Sequence, residues 1–428
     1  MKVLLVLVFV GIAHGLDYLD SYLADDDLTH QLRSAGIHDL RSAIAEASKL
    51  DVVEMIRLEG YPVEDHYIVT PDDYILNLHR IPSRKNGNKK WHISSMASWL
   101  LLVIGSLQEV KSLLLLICNC TFDTSGYILA DEGYDVWMGN VRGNTYSRNH
   151  TFLDPDKDSD FWHFSWHEIG NIDLPAMIDY ILDQTGADGV YYVGHSQGTT
   201  IFYVMAATRP AYNEKIKAQV SLAPIGFMNH MTSPLMRVMA MWDAPISGFI
   251  SMVGEVLCSG TGKILCKNAL FAVCGFSNDQ MNMTLLPRIM AHAPAGASTK
   301  QLLHYAQEIN SASVCWGMTP MVEGAIFVGH RSKFRPYDLG LVQNKFTYGS
   351  LFPPSYDLAK VTAPVYLIHS RNDWLAGEKD VDRLCSGLGN CKIKLLVSDY
   401  SFNHLDFTYG VGAPTLVYTK VISLFSRH

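Results

Sequence analysis

The sequence predicts an α/β fold, a mainly parallel sheet with helices on both faces, and three observations carry that reading. Strand-like and helix-like segments alternate through residues 134–222. The alternation resumes at 365–368 and 392–397 and closes on a helical segment over 414–425. Between these blocks, over 226–334, it lapses into a stretch rich in Met, Pro and small residues. Strands that alternate with helices imply crossover connections, hence parallel pairing with both faces covered. With no linker-like composition at either end, the lapse reads as a helical insertion within one sheet domain.

Length and composition support a large core. The chain has 428 residues, of which 48% are hydrophobic and 18% charged, a balance that excludes a disordered polypeptide. Lys and Arg number 34 against 42 Asp and Glu, giving a net charge of −8. A modestly acidic chain without a dense basic run lacks the means to neutralise phosphates, so nucleic acid is excluded as a partner.

Residues 1–15 read as a secretory signal peptide: Lys2, an apolar run over 3–12, then Ala13-His14-Gly15. The run is too short to cross a bilayer, and Asp17 and Asp20 follow closely. The chain is therefore expected to be exported, to the exterior or to a lysosome. Residues 16–50 are polar, Asp-rich and helix-compatible, suited to a pro-region or a covering helix. The first part of the sheet domain is expected over 51–225. It opens on a hairpin whose strands alternate apolar with polar over 66–70 and 74–81, around the turn Pro71-Asp72-Asp73. The apolar stretch 99–118 is divided by Gln108, Glu109 and Lys111, so neither half reaches the length of a transmembrane span.

A strand follows over 134–138, ending at Gly139-Asn140. Ile172, Met177, Ile178, Ile181 and Leu182 have helical spacing within 169–185, and Gly186 ends that helix. Next come a strand at 190–193, a helix at 199–208 stopped by Pro210, and a strand at 217–222. Residues 335–428 supply the second part of the domain.

Eight cysteines in an exported chain permit disulfides, and two close pairs stand out, Cys258 with Cys266 and Cys385 with Cys391. Neither Cys-x-x-Cys nor His-Glu-x-x-His occurs, so no metal site is expected. Asn119, Asn149 and Asn282 begin glycosylation sequons and would be surface positions if modified.

The chemistry centres on Gly194-His195-Ser196-Gln197-Gly198, set between the strand at 190–193 and the helix at 199–208. A serine hydroxyl is a weak nucleophile until a base deprotonates it. A tight strand-to-helix turn presents Ser196 for that purpose, and Gly194 and Gly198 are small because side chains there would meet the neighbouring strand and helix. The helix start aims backbone N–H groups at developing negative charge, with the Gln197 N–H as one oxyanion donor. Such an elbow requires an acid and then a histidine after later strands. Asp373 follows the strand at 365–368, and His404 lies in the loop after 392–397. His369, inside its strand, and Asp406, beyond the histidine, are weaker candidates. In the expected mechanism His404 takes the Ser196 proton, Asp373 orients the imidazole, and an acyl-enzyme forms and is hydrolysed.

These stretches resemble the acid lipase family of α/β-hydrolases, which includes lysosomal acid lipase, gastric lipase and insect lipases. The matching segments are Gly60-Tyr61-Pro62 through Pro82, Gly133-Tyr134-Asp135-Val136-Trp137 through Asn144-Thr145-Tyr146-Ser147-Arg148, the elbow, Asn372-Asp373-Trp374, and Asn403-His404-Leu405-Asp406-Phe407. The resemblance implies an α/β-hydrolase fold with a cap and lid, hydrolysis of triacylglycerols or sterol esters at a membrane or droplet interface, and no cofactor. By position it makes Ser196, Asp373 and His404 the triad and Cys258 with Cys266 a cap disulfide.

The chain departs from that pattern in one place. The family carries His-Gly-Leu-Leu at the end of an early strand, where it supplies the second oxyanion N–H. Here the sequence after Pro82 lacks it, and with it the expected strand. Losing one oxyanion donor costs on the order of 10²–10³ in turnover. Residues 95–105, back-translated with one choice of synonymous codons and read from the last base of the first codon, yield His-Gly-Leu-Leu-Ala-Ser-Ser-Gly-Asp-Trp. We therefore read residues 91–125 as the same gene in a shifted frame, and residues 313–332 as an insertion of intronic origin. As written, the chain supports two functions: an active lipid-ester hydrolase, or a catalytically impaired lipase-fold protein that binds lipid without turning it over. Nothing in the sequence speaks to oligomeric state.

Overall fold

The computed structural model describes residues 49–83, 113–117, 124–241, 295–311 and 333–428, with single positions at 34 and 36 and several between 273 and 292. Residues 1–15, nearly all of 16–50, Asn119, Cys258, Cys266 and 313–332 lie outside the described residues, as does most of 91–125.

A nine-stranded sheet organises the chain. Its strands are β1 (Glu64–Val69), β2 (Tyr74–Ile81), β3 (Leu113–Ile117), β4 (Asp135–Gly139), β5 (Asn149–His150), β6 (Val190–His195), β7 (Ile216–Leu222), β8 (Val365–His369) and β9 (Cys391–Leu396). The spatial order is β1-β2-β4-β3-β6-β7-β8-β9, with β5 paired to β2. β1 and β2 form the expected antiparallel hairpin, Val69 opposite Ile75, and every pair from β4–β3 to β8–β9 is parallel. Every residue of β6 and β8 is buried, as suits parallel strands covered on both faces.

β3 corrects one expectation. The strand between β4 and β6 is not lost: Leu113–Ile117 fills that place, with Ile117 opposite both Gly139 and Gly194. Its sequence is wholly apolar, which is what a central parallel strand requires. Divided from its neighbours by Gln108, Glu109 and Lys111, the same run was too short to suggest a membrane span, yet five residues suffice for a strand.

The helices complete the layers. α1 (Val52–Leu58) starts at a reciprocal cap in which Asp51 accepts from the Glu54 N–H and Glu54 accepts from the Asp51 N–H. α2 (Thr124–Asp131) precedes β4. α3 (Leu174–Thr185) ends at Gly186 with φ 67°, as predicted, but residues Ile169–Asp173 ahead of it form a wider π turn. There Gly170 lies against α4 (Gln197–Thr208); a β-carbon on it would stand 2.7 Å from the Ile201 carbonyl oxygen. α5 (Pro234–Met241), α6 (Thr299–Asn310) and α7 (Leu341–Tyr348) follow β7, while α8 (Glu378–Gly387) connects β8 to β9 and α9 (Thr419–Phe425) closes the chain. β7 and β8 are hydrogen-bonded neighbours although residues 223–364 separate them in sequence, so that whole span is an excursion from the sheet.

The core is one continuous cluster running from Val52 to Phe425. Arg142 pins the hairpin turn to it: its guanidinium bonds the partly exposed Asp72 at 2.6 and 2.9 Å, lies 4.0 Å from the centre of the Tyr74 ring, and forms a fully buried ion pair with Asp173 at 2.7 Å. Removing one partner of such a pair typically costs about 3–5 kcal/mol. Of the two close cysteine pairs, Cys385–Cys391 is bonded, joining α8 to β9, and Cys274 is buried. Among the described residues no helix is long and apolar enough to cross a membrane.

Candidate active site

β6 runs straight into a sharp turn. Ser196 has φ 53° and ψ −116°, a conformation that costs a non-glycine residue about 1–3 kcal/mol and persists only where neighbours enforce it. They do so on both sides: the Ser196 N–H donates to the Leu222 carbonyl at 3.1 Å, and its carbonyl accepts from the Thr199 N–H at 2.9 Å and hydroxyl at 2.7 Å. Gly194 is required by contact, since a β-carbon there would lie 2.7 Å from the Gly198 carbonyl group. Gln197 opens α4 directly after the serine, two residues earlier than the sequence suggested, so the positive end of that helix begins at Ser196.

Asp373 and His404 come from the ends of adjacent strands, β8 and β9. The His404 Nε2 atom lies 2.8 Å from Ser196 Oγ, and its Nδ1 lies 2.8 and 3.0 Å from the two Asp373 oxygens. Both residues are buried. Burial alone would raise the Asp373 carboxyl, but His404 and the backbone N–H groups of Ala376 and Leu375 outweigh it and hold the group below the usual carboxylate range. Asp373 thus stays ionised opposite Nδ1. Nδ1 carries the proton toward it, and Nε2 is left free to accept the serine proton.

Three supports for this chain were not legible in the sequence. The first is His195, whose Nε2 donates to the backbone carbonyl of His404 at 2.9 Å and so holds that residue's backbone in place. The second is the backbone at 274–275, from the span between β7 and β8. The Cys274 carbonyl accepts from the His404 N–H at 3.3 Å and the Trp374 N–H at 3.4 Å, and the Gly275 carbonyl accepts from the Asn403 side chain at 2.7 Å. One peptide segment thus bridges the acid loop and the histidine loop. The third is α6, where Gln301 accepts from the Gln197 side chain at 2.7 Å and Tyr305 meets the Thr200 hydroxyl at 3.1 Å. Backbone carbonyls carry no residue signature, and only the positive φ of Gly275, 105°, left a trace as a glycine.

The weaker candidates have other places. His369 is buried within β8, its ring held toward the neutral form by burial. Asp406 accepts from the Asn403 N–H at 2.7 Å, supporting the loop rather than the histidine ring, and burial pushes its carboxyl up to about 6. Asn149 is exposed in β5 and Asn282 is half-buried. The loop that leaves β3 beside Gly194, where a second oxyanion donor would be sought, begins at residue 118, outside the described residues.

Comparison with known proteins bears on the fold and the family. Residues 115–245 match the family model described as the alpha/beta hydrolase fold, and residues 52–97 match a partial alpha/beta-hydrolase lipase region. The interval between the two matches falls within the stretch that departs from the family pattern. The chain is similar to Lipase 3 of Drosophila melanogaster, 40% identical over 87% of this chain and 92% of that protein. It is likewise similar to the gastric triacylglycerol lipase of Bos taurus, 36% identical over 89% and 92%, and to human lysosomal acid lipase/cholesteryl ester hydrolase, 33% identical over 93% and 96%. Among solved structures, an acetylester hydrolase from Corynebacterium glutamicum aligns with a TM-score of 0.50 at 13% identity, covering 87% of this chain and 97% of that one, a likeness of fold.

Proposed function

The chain belongs to the acid lipase family of α/β-hydrolases, and from that premise we propose that it hydrolyses triacylglycerols or sterol esters through an acyl-enzyme on Ser196. It is a serine ester hydrolase acting on lipid esters. The observation that carries the finer reading is the hydrogen-bonded line from Ser196 Oγ through His404 to Asp373, with 2.8 Å contacts on both sides of the ring.

The steps follow from those positions. Ser196 Oγ attacks the ester carbonyl as its proton moves to His404 Nε2, and the imidazolium so formed is stabilised by ionised Asp373. The oxyanion faces the head of α4, where the Gln197 N–H is the donor assigned here. His404 returns its proton to the departing alcohol, and water then repeats the sequence on the acyl-serine. No cofactor enters. Residues 226–334 act as the cap, a role supported by the contacts of Gln301 and of residues 274–275 with the elbow and the two catalytic loops. The signal peptide directs the chain out of the cytosol, to the exterior or to a lysosome, with Asn149 exposed for glycosylation.

The competing reading is an impaired, lipid-binding member of the family. It draws on the break at 98–114 between the two family matches. Turnover of p-nitrophenyl butyrate, triolein and cholesteryl oleate by the purified protein separates the two. We expect hydrolysis that Ser196→Ala reduces to background, a loss on the order of 10⁶ in kcat. Wild-type protein that binds triolein without cleaving any of the three establishes the impaired reading.

A further inference from the structure

α7 turns most of its side chains, apolar and polar alike, to solvent. Leu341, Val342 and Phe346 are exposed on it, Phe346 to 81% and Val342 to 72%, while its one fully buried residue is Asn344. A surface helix of a soluble protein ordinarily does the reverse. Leu351 and Phe352, just beyond it, are also exposed. Residues 341–352 thus hold five of the eleven exposed large hydrophobic side chains among the described residues.

Hydrogen bonds through Asn344 and Tyr348 hold this plate together. The Asn344 side chain accepts from the Leu339 N–H at 2.9 Å and donates to Asp338 at 2.7 Å and to the Leu351 carbonyl at 3.0 Å, so helix and following loop move as one piece. The Tyr348 hydroxyl adds a bond to the Tyr337 carbonyl at 2.9 Å. The plate is also wired to the catalytic region. Asp338 exchanges two 2.9 Å bonds with the Gln307 side chain on α6, the helix whose Gln301 holds Gln197.

Large apolar side chains exposed together in one short segment mark a candidate interaction site. Charge narrows the occupant. Residues 339–356 contain no acidic side chain, and their sole charge is Lys345, in a chain whose net charge is −8. A rigid apolar plate with one cation suits the surface of a lipid aggregate, where carboxylates collect as esters are cleaved. We propose that α7 with residues 351–352 is the surface on which this protein seats itself on lipid droplets. This rests on the lipid-ester reading above and adds where the contact is made.

The test uses full-length protein and a variant combining Val342→Ser, Phe346→Ser and Phe352→Ser. Flotation with triolein droplets coated with phosphatidylcholine and oleate reads binding, and p-nitrophenyl acetate in solution reads the catalytic centre. The variant is expected to lose about tenfold or more in droplet binding and in triolein hydrolysis, while its rate on the soluble ester stays within about twofold of wild type. A variant that floats with droplets as wild type does overturns the proposal. So does wild-type self-association that the variant abolishes while its flotation is unchanged, since the occupant is then a second copy. Absence of soluble-ester hydrolysis by wild type counts against the catalytic reading alone, because flotation still reports on the plate.

Discussion

A methyl group on the Gly275 α-carbon would stand 2.3 Å from the carbonyl oxygen of Asn372, the residue immediately before Asp373. The same glycine has φ 105°, and its carbonyl holds the side chain of Asn403, immediately before His404. Gly275→Ala must therefore shift the acid loop, the histidine loop or both. Displacement of about 1 Å in a catalytic constellation costs on the order of 10² in rate. On a soluble ester we expect kcat to fall by about that factor with KM little changed, since the shift acts on the catalytic geometry. A folded variant with wild-type kcat would remove residues 274–275 from the positioning role.

Asp373→Asn tests the orientation of the base. The amide keeps acceptors for the Leu375 and Ala376 N–H groups, which lie 2.9 and 2.8 Å from Oδ1, so folding should survive. It cannot remain an anion opposite Nδ1, however, and its N–H₂ favours the wrong imidazole tautomer. A fall in kcat on the order of 10⁴ is expected from steady-state rates at neutral pH.

Asp406 gives a dependence of stability on pH with a defined sign. Its carboxyl is raised from 3.8 to about 6 by burial, so between those values the folded chain binds a proton that the unfolded chain has released. Stability from this group is full below the lower value and is lost as pH rises through the window, a loss on the order of 2–3 kcal/mol. Asp406→Asn keeps an acceptor for the Asn403 N–H and has nothing to titrate. Urea unfolding at pH 4 and pH 7 should show wild type losing stability relative to the variant as pH rises. Parallel behaviour of the two proteins would contradict the assignment.

The break between residues 97 and 115 predicts something about the message. We expect the transcript across codons 83–130 to encode His-Gly-Leu-Leu in one uninterrupted frame. Restoring that sequence should raise kcat by on the order of 10²–10³, the worth of one oxyanion donor. A transcript that encodes the chain as written sinks the shifted-frame reading.

Much of the site was legible because its chemistry is carried by side chains in local patterns. The elbow is a five-residue string between a strand and a helix, and Asp373 and His404 each follow a segment with a strand-like pattern. The hairpin likewise rested on alternation and the turn at Pro71-Asp72-Asp73. What escaped was non-local. The contacts of Cys274 with Trp374 and His404 join backbone atoms about a hundred residues apart or more, and no periodicity announces them. β3 escaped because its five apolar residues sit in a stretch whose surroundings break the family pattern, and β5 because two residues make no pattern. The π turn at Ile169–Asp173 shares its spacing with the helix it precedes, so the sequence showed a single element.

The excursion over residues 223–364 also bears on how the molecule assembles. Strands β1 to β7 can pair from nearby chain, whereas β8 must find β7 across that whole span before β9 can add to the edge. Distant pairings of this kind form late, since loop-closure entropy must be met before they contribute. Asp373 and His404 ride on those last two strands. A nascent or nicked polypeptide that has only its amino-terminal half in order would display a serine without its base, and first esterolysis would mark the moment at which refolding is complete.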